Sequence, residues 1–300
     1  MPNSVSSGLP NPASYTDLGN GTVRDNVTCL VWQKALDTPT AASMGVTMPG
    51  TITDNMSYCS ALATASYGGQ TDWRIPTRVE LASVLDFTRT GSALSPPLTG
   101  TNGYDRTFSL WYETIALIGS PPSTFGWVYN LTSFSDSGFT SNAYAQASVA
   151  SARCVSGNGT GEGLMQQAVE PANHYTIAAG EVTDNYTGLV WQQVYSTSVM
   201  TWSAAAGYCS GLGLNGHTWR VPSIKEMSTL VNEALVGPAV DRTAFPNTVF
   251  CGDTTWFWGA EADANLAGSA WGINFCDGYT GANNTASFDM FTTGYVRCVR

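Results

Sequence analysis

The chain has 300 residues, long for one compact domain and comfortable for two. Acids outnumber bases by 22 to 12, the formal net charge is −10, and lysine occurs only at Lys34 and Lys225. This balance disfavours nucleic acid and anionic membranes, which need clustered Lys or Arg, and no stretch approaches the roughly 20 apolar residues of a membrane span.

The opening "MPNSVSSGLPNP" lacks the basic and apolar segments of a signal peptide, so export would rely on a removed or unconventional signal. Next comes "VRDNVTCLVWQ" from Val23, in which Leu30 to Trp32 read as a strand. A first helix is expected after Thr51, carrying Cys59 within "YCSAL". The segment "TDWRIPTRVELASVL" from Thr71 then opens a second helix. Thr77 and Glu80 form an S/T-x-x-E capping box, and Val79, Leu81, Val84 and Leu85 supply the apolar face. Beyond it the chain is rich in Gly, Trp, Tyr, Asn and Ser, with short strand-like runs that end in "RCVSG".

The same order then recurs: "VTDNYTGLVWQ" from Val182, "YCSGL" from Tyr208, "HTWRVPSIKEMSTLV" from His217 and "VRCV" from Val296. Ser223 and Glu226 repeat the capping box, ahead of Ile224, Met227, Leu230 and Val231. Matches in identical order mean a duplicated domain. The boundaries are 1–156 for the first copy, 157–170 for a linker and 171–300 for the second copy. The Gly-rich "SGNGTGEGLMQQ" between them has neither the lysine nor the strand-to-helix context of a phosphate loop and reads as the linker. Two helices followed by a loop-rich, strand-rich half give an α+β class for each copy.

Seven cysteines without a CxxC pair, and only His174 and His217 as imidazoles, do not make a zinc or haem framework. Disulfides in an oxidising, non-cytosolic compartment are the better reading. There is no G-x-S-x-G elbow, and the first copy has "TDWR" with Asp72 where the second has "HTWR", so His217 has no imidazole counterpart. No enzyme is expected. Arg74 and Arg220, each between Trp and Pro in the repeated segment, are read as structural arginines holding a neighbouring carboxylate or backbone carbonyls.

The ordered set "DNxTxLVWQ", a helical "YC", "WR[IV]P" followed by "EL" or "EM", and a terminal "RCV" resembles the C-terminal domain family of the Legionella collagen-like adhesin. The resemblance implies two tandem C-type-lectin-like domains, each with two helices and a loop-rich antiparallel sheet, on a secreted or surface-exposed bacterial protein. It also implies that the helical cysteine is bonded to one in the last strand, which carries over to Cys59 with Cys154 and Cys209 with Cys298. The remaining pair, Cys251 with Cys276, would close a loop found only in the second copy. Cys29 is left over, opposite Gly188, and is read as a small buried hydrophobe. Enzymes of the related formylglycine-generating fold use cysteines near the end of the domain, but here Cys154 and Cys298 are assigned to bridges.

Ligand recognition is expected on loops that differ between the copies, because specificity is usually carried on loops over a rigid scaffold. The candidates in the second copy are Trp258, Glu261, Asp263, Asn265, Asn274, Asp277, Tyr279, Asn283, Asn284 and Asp289. Aromatic platforms with amide and carboxylate groups suit a surface glycan and equally a surface protein. Trp256 and Trp271, which match Trp111 and Trp127, are read as core. "EADAN" (Glu261, Asp263, Asn265) alternates oxygen ligands like a calcium loop, yet the sugar-binding lectin triplets are missing, so no cofactor is expected. The expected function is extracellular, non-enzymatic binding in adhesion. Two other readings are a recognition protein with retroelement-diversified loops and a self-associating structural subunit of an appendage or particle.

Overall fold

The computed structural model describes residues 1–35, 42–45, 52–90, 94–99, 153–157, 173–232, 235, 237–249, 255–264, 268–276, 278–282 and 293–300, with the backbone of strands 111–112, 125–129 and 141–145. The protein is mixed in secondary structure, with small antiparallel sheets and few helices, arranged as two similar halves.

The first half begins with the meander β1 (Tyr15–Asp17), β2 (Thr22–Asp25) and β3 (Val31–Gln33). Helix α1 (Ile52–Thr64) and helix α2 (Arg78–Ser83) follow, then β4 (Trp111–Tyr112), β5 (Phe125–Tyr129) and β6 (Ser141–Ala145) as a second sheet. Strand β7 (Val155–Ser156) returns to pair with β3, so the end of the copy closes on its beginning. The second half repeats this with β8 (Tyr175–Ala178), β9 (Glu181–Asp184), β10 (Val190–Gln192), α3 (Trp202–Gly211), α4 (Ile224–Ser228), β11 (Trp256–Ala262), β12 (Ala270–Asn274) and β13 (Tyr279–Ala282). Here Val299 bridges to Trp191 and Arg220, as Val155 bridges to Arg74 in the first half.

Each repeated motif has a local physical cause. In "DNVT" and "DNYT" the aspartate side chain makes the turn: Asp25 Oδ1 accepts from the Val27 and Thr28 amides, and Asp184 Oδ1 from those of Tyr186 and Thr187. The glutamine of "LVWQ" meets the tyrosine of "YC", with Gln33 Nε2 donating to the Tyr58 hydroxyl at 2.6 Å and Gln192 Nε2 to Tyr208 at 2.8 Å. Both capping boxes are complete at the starts of α2 and α4. The adjacent cysteines form the bridges expected from the resemblance, Cys59–Cys154 and Cys209–Cys298. Cys276 is also disulfide-bonded, while Cys251, its expected partner, lies outside the described residues.

The expectation for Cys29 is corrected: its thiol is free and exposed. After the aspartate turn the backbone must pass through the left-handed region to bring the next residue into β3, and Cys29 does so at φ 61°, where the second half has Gly188 at φ 72°. A side chain there points away from the sheet. Cys29→Gly is therefore expected to raise stability by up to about 1 kcal/mol in a urea titration, since a non-glycine residue pays roughly 1–2 kcal/mol for this conformation.

Each half has a small buried cluster of its own, around Cys59–Cys154 and around Cys209–Cys298, and the two halves share a larger one. One buried cluster contains Val23, Trp32 and Phe87 of the first copy with Trp191, Trp271 and Phe275 of the second. Helix α2 lies against α4, and the seam is hydrogen-bonded as well as apolar. Lys225 Nζ, buried in the second copy, donates to Ser83 O at 3.0 Å, while Arg78 of the first copy donates to Gly278 O and, at 3.2 Å, to Thr280 Oγ1. Asn3, near the start of the chain, reaches Glu226 at 3.3 Å, so the first residues are part of the seam.

Candidate functional site

The WR-P segments show why the repeated charges are not a reactive pair. Arg74 donates to both oxygens of Glu80 at 2.7 and 2.6 Å, and Arg220 to both of Glu226 at 2.7 Å. Each glutamate also accepts from its own N-cap amide, so one carboxylate caps the helix and fixes the guanidinium. A second pair of arginines, from the closing "RCV", was not singled out by the sequence reading. Arg153 and Arg297 are fully buried, and burial holds both guanidinium groups well below their usual range, at about 9. Arg153 donates to Gln33 O, Lys34 O and Thr99 O; Arg297 sits 4.4 Å above the Phe245 ring. Their recurrence at matched positions was the available signal.

Of the residues predicted to contact ligand, three are buried: Trp258, Glu261 and Asp263. Trp258 is 2% exposed and its indole donates to Met200 O at 2.8 Å. Glu261 is 3% exposed and accepts from the Ile224 amide at the start of α4, and Asp263 is also buried. The physical reason is β11 itself: it is buried on both faces, against α4 and beside β12, so a Trp- and Gly-rich run that reads as a loop is an interior strand. Gly259 permits this approach, because a Cβ there would stand 3.0 Å from Ile224 and 3.2 Å from Trp271 O. Trp256 and Trp271 are buried as expected. Asn274 is half-buried and accepts from the Cys276 amide; Tyr279 lies on β13, paired with Asn274. Asn265, Asp277, Asn283, Asn284 and Asp289 lie outside the described residues. Among the described residues no group of three or more His, Cys, Asp or Glu side chains is placed to hold a metal ion.

Burial without a full set of partners pushes the Glu261 carboxyl up to about 7, and its Oε1 has no hydrogen-bond partner among the described residues. A carboxyl whose folded pKa exceeds its unfolded value keeps its proton longer in the folded state. Its contribution to stability is present below about 4.5 and is lost as pH rises through about 7. In urea titrations at pH 5 and 7.5, Glu261→Gln is expected to lose less stability than the wild type on going to the higher pH.

The open feature lies elsewhere, on the first helix of the second copy. Trp202, Ala206 and Ser210 recur every four residues along one face of α3 and, with Ser203, Trp219, Arg220, Val221, Ala260 and Leu9, line a cleft of about 420 Å³. Trp202 is 36% exposed, yet its indole Nε1 donates to Gly259 O of β11 at 2.8 Å, which fixes the ring at the cleft wall. Aligned on Cys59 and Cys209, the corresponding residues of the first copy are Ile52 and Met56, and Met56 is 46% exposed where the second copy has only the methyl of Ala206. The rule that copies differ where they bind would have found Trp202 in the sequence had it been applied to the helices as well as to the loops.

Residues 21–156 and 180–300 each match the model of the Lcl C-terminal domain. The chain belongs to the Lcl C-terminal domain family. No curated protein and no solved structure matches it. The two Lcl C-terminal copies cover most of the chain, and family membership suggests an adhesin-like role. The disulfides are compatible with an extracellular location, and among the described residues no helix is long and apolar enough to cross a membrane.

Proposed function

We propose that this tandem Lcl C-terminal protein is an extracellular, non-enzymatic adhesion protein on a C-type-lectin-like scaffold, recognising a surface glycan or a surface protein without a cofactor. One observation carries the reading. The polar groups that the copies share are engaged in holding the fold, whereas Trp202 and Ala206, where the copies differ, stand on a cleft that is open to solvent. A fixed aromatic at the rim of a largely apolar concavity suits binding, and among the described residues that line it there is no histidine, cysteine or carboxylate to activate the hydroxyls of Ser203 and Ser210. The described cleft thereby becomes a better-supported site than the loops after β12, which remain candidates for a second contact.

The test is a combined array of surface glycans and bacterial or host surface proteins probed with the intact, oxidised protein. Saturable binding without consumption of the bound compound is expected. Turnover of any arrayed compound, or no binding to either class, would contradict the reading.

A further inference from the structure

We infer that residues 2–13 form a strap that ties the two copies together and supplies the outer wall of the Trp202 cleft through Leu9, so that the shape of the cleft depends on how the copies are docked.

Among the described residues that line the cleft, Leu9 alone comes from outside the second copy. It belongs to a stretch that precedes both segments matched by the family model, the first of which begins at residue 21. One wall of the cleft is thus built by chain that the repeated domain does not contain.

The stretch is a closed loop. Asn3 N donates to Asn11 O at 2.8 Å, Ala13 N donates to Asn3 O at 2.7 Å, and Asn3 Nδ2 donates to Pro10 O at 2.7 Å. Both ends are therefore held on one buried residue. Gly8 at φ 68° and Asn11 at φ 55° take the left-handed turns that bring the chain back. A compact loop with joined ends keeps its shape through such internal contacts, so Leu9 moves with Asn3.

The loop is pinned to both copies. The Ser6 and Thr88 hydroxyls, 2.6 Å apart, fix it to the first. On the second, Pro2 O accepts from Lys225 Nζ at 2.9 Å and Asn3 Nδ2 reaches Glu226 Oε1 at 3.3 Å. Lys225 stands where the first copy has Val79, and it is buried. An ammonium group taken out of water is costly unless its donors are answered, and here Pro2 O of the strap and Ser83 O of the first copy answer them. The exchange of Val for Lys between matching helices thus joins strap and seam at one atom.

The same contacts lead to the cleft. Glu226 Oε1, which accepts from Asn3, also accepts from Arg220 Nη2 at 2.7 Å, and Arg220 lines the cleft. The strap meets the cleft twice, directly through Leu9 and indirectly through Glu226 and Arg220. Separation of α2 from α4 would pull on Pro2 and Asn3 and withdraw Leu9.

The experiment is fluorine NMR of the intact, oxidised protein carrying 5-fluorotryptophan, with the Trp202 resonance identified by Trp202→Phe and a dissolved nitroxide as the probe of exposure. Leu9→Ala, which shortens the wall, and Asn3→Ala and Lys225→Val, which release the strap, should each shift the Trp202 resonance and increase its broadening by the nitroxide. The resonances of Trp32 and Trp191, buried in the shared cluster, should stay resolved and report that the fold is kept. An unmoved Trp202 resonance in Leu9→Ala would show that Leu9 is no wall and would overturn the inference. A shift in Leu9→Ala that neither Asn3→Ala nor Lys225→Val reproduces, with both folded, would overturn the dependence on docking. Loss of the folded pattern in Asn3→Ala would itself show that the strap holds the copies, and Leu9→Ala, a half-buried position, then decides the wall. No bound compound is needed, so the result is separate from that of the adhesion reading.

Discussion

The double variant Cys209→Ser/Cys298→Ser is expected to lose about 4–5 kcal/mol of stability against urea. The bridge joins residues 89 apart in sequence, and the chain-entropy relation for a loop of that size gives this figure. Its position adds a second reason. Cys209 lies on α3 directly beside Ser210 of the cleft, and Cys298 lies next to Val299, which bridges both β10 and the WR-P segment. Opening the bridge therefore releases the closing strand and the cleft wall together. Cys59→Ser/Cys154→Ser, with a separation of 95, should cost a similar amount. A loss below about 1 kcal/mol for either pair would mean that the termini of each copy are held by the sheet and the buried arginines alone.

Trp271→Ala should cost about 3–5 kcal/mol, as for other buried aromatic truncations, and its effect should reach both copies. Trp271 is fully buried on β12 of the second copy. Its indole donates to Phe87 O of the first copy at 3.1 Å, and the two rings meet edge to face with centroids 5.2 Å apart. Truncation leaves a cavity and an unanswered carbonyl at the seam where α2 and α4 meet. Amide exchange in both halves should accelerate together, because the largest buried cluster is built from both. Faster exchange confined to the second half would show that the copies unfold independently.

The elements that were legible in the sequence are those governed by local rules. A hydroxyl three residues before a glutamate specifies a capped helix whatever surrounds it, and both boxes appear at the expected residues. The helical cysteine and the closing cysteine were likewise marked by repetition. What could not be read depends on contacts between copies and on burial. Trp258, Glu261 and Asp263 look like loop residues by composition, but Trp258 clusters with Ala205 and Cys209 of α3, Glu261 accepts from the Ile224 amide of α4, and Asp263 is buried as well. Lys225, the counterpart of Val79, gives no sequence signal that it crosses the seam to Ser83. Cys29 deceived for a different reason: its buried-type side chain occupies a backbone position set by the preceding turn. The cleft was missed because divergence was sought only in loops, although Trp202 and Ile52 differ as plainly.

The division of labour between shared scaffold and copy-specific cleft is tested most directly by one paired measurement on Trp202→Ala: its capture of array ligands and its melting temperature, each beside the wild type. The variant should remain folded, losing only about 1–2 kcal/mol with the bond to Gly259 O, and should lose the ligands that the wild type retains. Undiminished capture by a normally folded Trp202→Ala would contradict the account and return the site to the residues after β12, Asn283, Asn284 and Asp289 among them.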